Sequence, residues 1–228
     1  MGRPWILQMT WHDLLFAHWP IPESALRHLV PRDLEIEQFD GTAWLGVIPF
    51  LMTSCPRGLP RFLKSRFTEV NVRTYVRHKG RSGVWFFSLD AAHRLTVWGA
   101  RRFFHLPYHL AAMSLTTTAD GVLYYSRRKS SPDVRLDCRY RAVSEPSAPA
   151  KTTLEEWLTE RYCLYSANRR EEIFIGEIHH PPWLLQEAEA EIRINTMTLP
   201  LGIALPPERP LLHFAKRQDV VAWALARP

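Results

Sequence analysis

From Glu69 to Arg77 the chain alternates without a break. Val70, Val72, Thr74 and Val76 fall on one side of a two-residue period, and Glu69, Asn71, Arg73, Tyr75 and Arg77 fall on the other. Successive side chains of a β-strand point to opposite faces, so this period predicts a strand with one apolar and one polar face. A plain solvated face is usually filled by Lys, Glu, Thr and Ser. Glu, Asn, Arg and Tyr in one row can instead line a pocket that grips a small polar molecule, and the two readings stand side by side at this point.

The same patterning organises the rest of the chain. Trp5 to Trp19 reads as a strand ending at Pro20-Ile21-Pro22, and Glu23 to Val30 as a short helix stopped by Pro31. Leu34 to Glu37 and Ala43 to Met52 read as two strands across the Phe39-Asp40-Gly41 turn, followed by a Pro- and Gly-rich loop over Ser54 to Leu63 and a basic segment, Arg61 to Arg66. Beyond the 69–77 strand, Lys79 to Gly83 turns the chain into an aromatic strand, Val84 to Leu89. A helix is then expected from about Ala91 to Phe104, capped by Ser88 or Asp90, before Tyr108 to Met113 re-enters the sheet. Val122 to Lys129 and Val134 to Ala142 predict a hairpin with Arg135, Asp137, Arg139 and Arg141 on one face. Thr152 and Glu155 stand in capping-box spacing ahead of a helix carrying Leu154, Trp157, Leu158 and Arg161, which puts Arg161 and Tyr162 at its end. Glu171 to Ile178, Ala188 to Thr196, Leu211 to Lys216 and Val220 to Leu225 complete about ten strands with two or three helices and no βαβ rhythm. That makes an α+β, mostly β chain, arranged as a largely antiparallel barrel or sandwich in one domain spanning 1–228.

Composition narrows the function classes. The 228 residues can bury a sizeable core, and nine Trp with 12% aromatic residues suit pocket walls and thick sheet packing. Three cysteines, Cys55, Cys138 and Cys163, with no CxxC, argue for a reducing compartment, so the cytoplasm is the expected location. No run of 18 uncharged apolar residues and no basic-then-apolar leader is present, so no membrane partner is expected. A net charge of +6 suggests anionic partners, yet only five of the 29 basic residues are Lys, and a genome-wide Arg bias explains most of that excess.

Motifs exclude more than they select. Ten histidines invite a metal, but HExxH is missing, His179 and His180 point to opposite faces of any strand, and Pro107 splits His105 from His109. No metal and no cofactor is expected. GxSxG, Walker A and GxGxxG are also absent, and Cys163 beside Tyr162 reads more simply as a buried thiol than as a nucleophile.

Leu26-Arg27-His28-Leu29-Val30-Pro31 with Leu34-Glu35-Ile36, and Gly99-Ala100-Arg101-Arg102 running to Leu106-Pro107-Tyr108-His109-Leu110, resemble the acetoacetate-decarboxylase-like superfamily. The wider set FAHWP, VP, FDGTAW, EVNVRTYV, GVWFFSLDA, LPYHLAAM, LTERYCLY and HHPPW is similar to its YqjF-like branch over almost the whole chain. The resemblance implies a β-barrel-like cone around a central pocket. In the decarboxylases a Pro is followed by two lysines, one forming a Schiff base and the other lowering its pKa. Tyr108 and His109 stand there in this chain, and none of the five lysines lies between Arg81 and Arg128, so imine chemistry is not carried over. What the resemblance leaves is a pocket with Tyr108 or His109 near its floor, Glu69, Asn71, Arg73 and Tyr75 on one wall, and Arg102 nearby.

Three functions follow from these residues. In the first, Arg73 or Arg102 holds a small polar or anionic molecule while Glu69, Tyr108 and His109 supply acid and base chemistry, with Arg161 and Tyr162 as further binding candidates. In the second, the same pocket binds without turnover, as a sensor or carrier. In the third, ranked well behind, the Arg-rich hairpin binds nucleic acid. A homo-oligomer is compatible with all three.

Overall fold

The computed structural model describes residues 3–60, 62 and 64–228. In chain order the described elements are β1 (Leu7–Ile21), α1 (Glu23–Arg27), β2 (Glu35–Ile36), β3 (Ala43–Pro56), β4 (Ser65–His78), β5 (Arg81–Ala91), α2 (Arg94–Phe103) and β6 (Tyr108–Thr118). They continue with β7 (Gly121–Arg128), β8 (Arg135–Ala142), α3 (Leu154–Thr159), β9 (Cys163–Ala167), β10 (Ile173–His179), β11 (Gln186–Asn195) and β12 (Leu211–Ala222).

Hydrogen-bonded neighbours run β10-β9-β5-β6-β7-β8-β11-β12-β1-β3-β4-β2, with β5 also pairing with β4 and β10 with β12. The β4–β5 pairing closes nine strands into a barrel. The β10–β12 pairing closes a second circuit through β9 and β10 on the other side of the shared strands. β5 forks to make this possible: Val84 and Trp85 pair in parallel with β9, while Leu89 to Ala91 pair in parallel with β6. The fork needs a glycine, because a Cβ on Gly83 would stand 2.8 Å from Cys163 Sγ. Every other pairing is antiparallel.

As a result β4 is buried on both faces. Val70, Val72 and Val76 pack in one cluster with Tyr124, Leu136, Cys138 and Tyr140 of β7 and β8. On the opposite face Phe67 packs with Phe16, Phe50, Leu89 and Trp183. From Glu69 to Tyr75 the polar row of this strand thus faces another part of the protein rather than bulk water, while Arg77 at its end is exposed and paired with Glu37.

Several expected boundaries shift for identifiable reasons. α1 stops at Arg27 rather than Val30, because the Arg27 guanidinium donates to the carbonyls of Val30, Pro31 and Leu34 and holds that segment as a turn. Neither Ser88 nor Asp90 caps α2. Asp90 is buried in an ion pair with Arg128, and His93 Nδ1 accepts from the Thr96 backbone N–H instead. α3 is capped by Thr153, one residue after the expected Thr152, and ends before Arg161. β9 was not expected as a strand, and the two C-terminal strands are the single strand β12, whose polar centre, Lys216 to Asp219, continues the pairing with β1. β3 and β4 extend into both ends of the expected 54–63 loop and 61–66 basic segment, of which positions 61 and 63 lie outside the described residues. Among the described residues no helix is long and apolar enough to cross a membrane.

Candidate functional site

A cavity of about 420 Å³ lies against the second face of the shared strands, between β1, β3, β4 and β5, with α2 over one part of it and Thr159, Arg161 and Trp183 at another. β4 contributes every second residue, Ser65, Phe67, Glu69, Asn71 and Arg73, as the period of a strand requires. Of the residues singled out from sequence, the structure brings Glu69, Asn71, Arg73, Tyr108 and Arg161 to this cavity.

Glu69 is 2% exposed, and the Tyr108 hydroxyl donates to its Oε2 at 2.8 Å. Burial pushes the Glu69 carboxyl up to about 8, the Tyr108 hydrogen bond opposes that shift, and the negative charge of Asp90 adds to it. At neutral pH the side chain therefore holds its proton most of the time. Burial, and then the nearby Glu69, raise the Tyr108 hydroxyl well above its ordinary range, so it remains a neutral phenol. The Tyr124 hydroxyl, on β7, donates to the Glu69 backbone carbonyl at 2.6 Å and fixes the strand at this residue.

Arg73 has a different environment. Its Nη2 donates to the Tyr75 hydroxyl and to the Leu158 carbonyl, each at 3.3 Å, and its guanidinium lies over the Phe16 and Tyr75 rings. Among the described residues Arg73 makes no ion pair, and its buried Nε has no hydrogen-bond partner. Arg161 donates from Nε to the Trp157 carbonyl at 2.7 Å, pairs through Nη1 with Glu37, and leaves Nη2 unpartnered. Asn71 Oδ1 and Trp11 Nε1 are two further buried atoms on the wall without a partner. A buried polar group without a partner costs about 1–3 kcal/mol, so four around one cavity leave room for another molecule's polar atoms or for ordered water.

The remaining sequence candidates lie elsewhere. Tyr75 is fully buried behind Arg73, and its hydroxyl shares a 2.6 Å hydrogen bond with His18 Nε2, so it supports the arginine from behind the wall. His109 is the neighbour of Tyr108 on β6 and points the other way, beside Asp90 across the pairing with β5. Burial, with Arg128 and Arg101 nearby, lowers its pKa to about 4. Arg102 is exposed on α2 over the Phe103 ring, and Tyr162 is 38% exposed and stacked on His180. None of these four lines the cavity.

Sequence reasoning missed the apolar wall. Phe16 and Phe50 fall in expected strands, and neither they nor Phe67, Trp183 or the apolar residues of α2 were assigned to a site from sequence. One signal was available in Gly99, which sits mid-helix at a cost of about 0.5–1 kcal/mol relative to Ala. A Cβ there would meet nothing within 4 Å, so the residue borders open cavity. Among the described residues no lysine lines the cavity, and no three His, Cys, Asp or Glu side chains are placed to hold a metal ion.

The chain matches the DUF2071 family of uncharacterized conserved proteins over residues 8–219. It is 49% identical over 225 residues to the uncharacterized protein YqjF of Bacillus subtilis (strain 168), covering 98% of this chain and 93% of that one. Among solved structures, the enduracididine biosynthesis enzyme MppR, complexed with the condensation product of pyruvate and imidazole 4-carboxaldehyde, superposes with a TM-score of 0.70 at 9% identity, over 99% of this chain and 90% of that one. Acetoacetate decarboxylase from Legionella pneumophila subsp. pneumophila str. Philadelphia 1 superposes with a TM-score of 0.65 at 13% identity, over 99% and 92%. At such identities the two structures establish a shared fold alone. The chain belongs to the DUF2071 family, as a YqjF-like member built on the acetoacetate-decarboxylase-like fold.

Proposed function

We propose that the cavity takes a small oxygenated organic molecule and that Glu69, paired with Tyr108, removes and returns a proton next to a carbonyl group on it. The observation that carries this reading is the buried, cavity-facing carboxyl whose pKa stands at about 8. A carboxylate so raised is a stronger base than an ordinary Glu and is still ionised in a useful fraction near neutral pH. In such a step the ionised Glu69 takes the carbon-bound proton, and the Tyr108 O–H turns from Glu69 to the carbonyl oxygen, where charge gathers. Reprotonation by Glu69 at the same carbon returns the ketone with its proton exchanged. Arg73 and Arg161 draw the anionic end of the molecule. With no lysine on the wall, the step proceeds without an imine. MppR, on the same fold, is a biosynthetic enzyme seen with pyruvate, which supports small-molecule binding in a barrel of this kind.

A second reading is retention without turnover, as a carrier or sensor. The largely apolar wall of Phe16, Phe50, Phe67 and Trp183 favours it. Nucleic-acid binding by the Arg-rich hairpin ranks last, since Arg139, Arg141 and Arg193 are already paired with Asp120, Glu189 and Asp137.

Exchange of carbon-bound protons for deuterium in a panel of straight-chain oxo acids, with the ketone placed from two to ten carbons from the carboxylate, followed by proton NMR in D2O, separates the readings. Catalysed exchange should rise with pH through about 8 and fall by about 10²-fold or more in Glu69→Gln. Exchange no faster than buffer across the panel, with the acids still bound, leaves the carrier reading standing and removes the enzymatic one.

A further inference from the structure

We propose that the occupant is an elongated amphiphile, with an anionic head such as a carboxylate held at Arg73 and a mostly apolar body that runs along β4 past Glu69 and ends beneath α2. This rests on the reading of the cavity as a ligand site and goes beyond it by fixing the length and polarity of the molecule.

β4 acts as a ruler. Ser65, Phe67, Glu69, Asn71 and Arg73 all line the cavity, and at about 3.3 Å per residue Arg73 stands about 13 Å from Glu69 and about 26 Å from Ser65 along the strand. Hydrogen bonds to Tyr75 and Leu158 draw the Arg73 guanidinium further from Glu69. A molecule the size of pyruvate is too short to touch both.

Polarity changes along the same line. Of the four unpartnered buried polar atoms on the wall, Asn71 Oδ1, Arg73 Nε and Arg161 Nη2 stand at the Arg73 end, with the Arg161 guanidinium over the Tyr75 ring, and Trp11 Nε1 alone lies toward the other. Toward the other end the row passes to Phe67, whose ring stacks on His93 at the start of α2, and the helix adds Ala100 together with Leu95 and Phe103, which are 73% and 58% exposed and form an apolar rim at the cavity mouth. The charge also lacks a partner. Arg161 is answered by Glu37, but Arg73 has no carboxylate, and Glu69 in the same row is mostly protonated at neutral pH. A half-buried guanidinium of this kind is stabilised by a bound anion. The cavity volume of about 420 Å³ corresponds to about fourteen groups of water size at about 30 Å³ each, which suits a carboxylate carrying a tail of roughly eight to ten carbons.

Isothermal titration with straight-chain saturated carboxylates from butanoate to dodecanoate, below their aggregation limits, tests the inference. Kd should fall about 3- to 4-fold per added methylene and level off near ten carbons, as each buried methylene contributes a nearly constant transfer term. Arg73→Gln, with Arg161→Gln as the alternative should the first not fold, should weaken decanoate by tenfold or more. Decan-1-ol should bind at least tenfold more weakly than decanoate. Gly99→Leu fills the space below α2, and it should weaken decanoate by tenfold or more while changing butanoate far less. Carboxylates that bind with an affinity indifferent to chain length overturn the amphiphile and leave a small-molecule site standing. Decanoate binding that ignores both the Arg73 and Gly99 substitutions is surface adsorption and also overturns it. A folded protein that binds none of the series overturns the amphiphile together with the anionic end of the proposed function.

Discussion

β4 and β8 both alternate apolar with polar residues, yet the polar row of β4 lines a cavity while that of β8 faces solvent. On β8, Arg135, Arg139 and Arg141 are exposed, and the row is matched across strands by opposite charges, Arg141 with Glu189 and Arg193 with Asp137. On β4, Glu69 and Asn71 are buried, Arg73 is half-buried without an ion pair, and two of the row's polar atoms have no partner. The difference comes from what covers the second face. β8 has the core on one side only, whereas β4 belongs to both hydrogen-bonded circuits and has structure on each side. A polar row that is buried and unpaired is under a different constraint from one that is exposed and paired.

The contrast can be broken by substitution, and Glu69 should give the largest effect. The unfolded chain releases this proton near pH 4.5 and the folded chain holds it to about 8, so its contribution to stability is complete below pH 4.5 and lost as pH rises to 8. Glu69→Gln removes that dependence. Relative to the parent, the variant should gain about 3–5 kcal/mol between pH 5 and pH 9 at about 1.36 kcal/mol per unit, read from urea unfolding at each pH. A difference between variant and parent that does not change with pH would erase the distinction between the rows.

Tyr124→Phe should have an intermediate effect. It removes the donor to the Glu69 carbonyl from the opposite face and should lower stability by about 1–2 kcal/mol in urea unfolding. It should also weaken the effect of Glu69 on any catalysed proton exchange, because the strand position is less firmly held. Unchanged stability would mean that the two faces of β4 are not coupled at this residue. The smallest effect is expected on β8, where Arg141→Ala removes an exposed pair and should change stability by less than about 0.5 kcal/mol, with carboxylate affinity unaltered.

Much of this contrast was legible in the chain. The 69–77 alternation predicted the strand, while the residue types in its polar row left a pocket wall and a solvated face equally open. Tyr108 and His109 could not be separated by type, but they are adjacent on a strand, so only one of them can face the cavity, and pairing geometry selected Tyr108. The cavity's apolar wall was not legible, because Phe50 or Phe67 facing empty space is written no differently from Phe in a packed core. β9 was hidden for another reason. Its five residues mix Cys, Tyr and Ser, and pairing with β10 along their whole length, with Gly83 allowing a second pairing to β5, makes them a strand. Arg161 was expected as a helix-end residue and reaches the cavity because α3 stops at Thr159 and the chain turns there.

The most direct test places an anomalous scatterer in the row. Crystals grown with 10-bromodecanoate should show the carboxylate within hydrogen-bond distance of Arg73 Nε and the bromine beside Glu69 on the α2 side of the cavity. A carboxylate bound instead among the β8 and β11 arginines, with the cavity holding only water, would contradict the account.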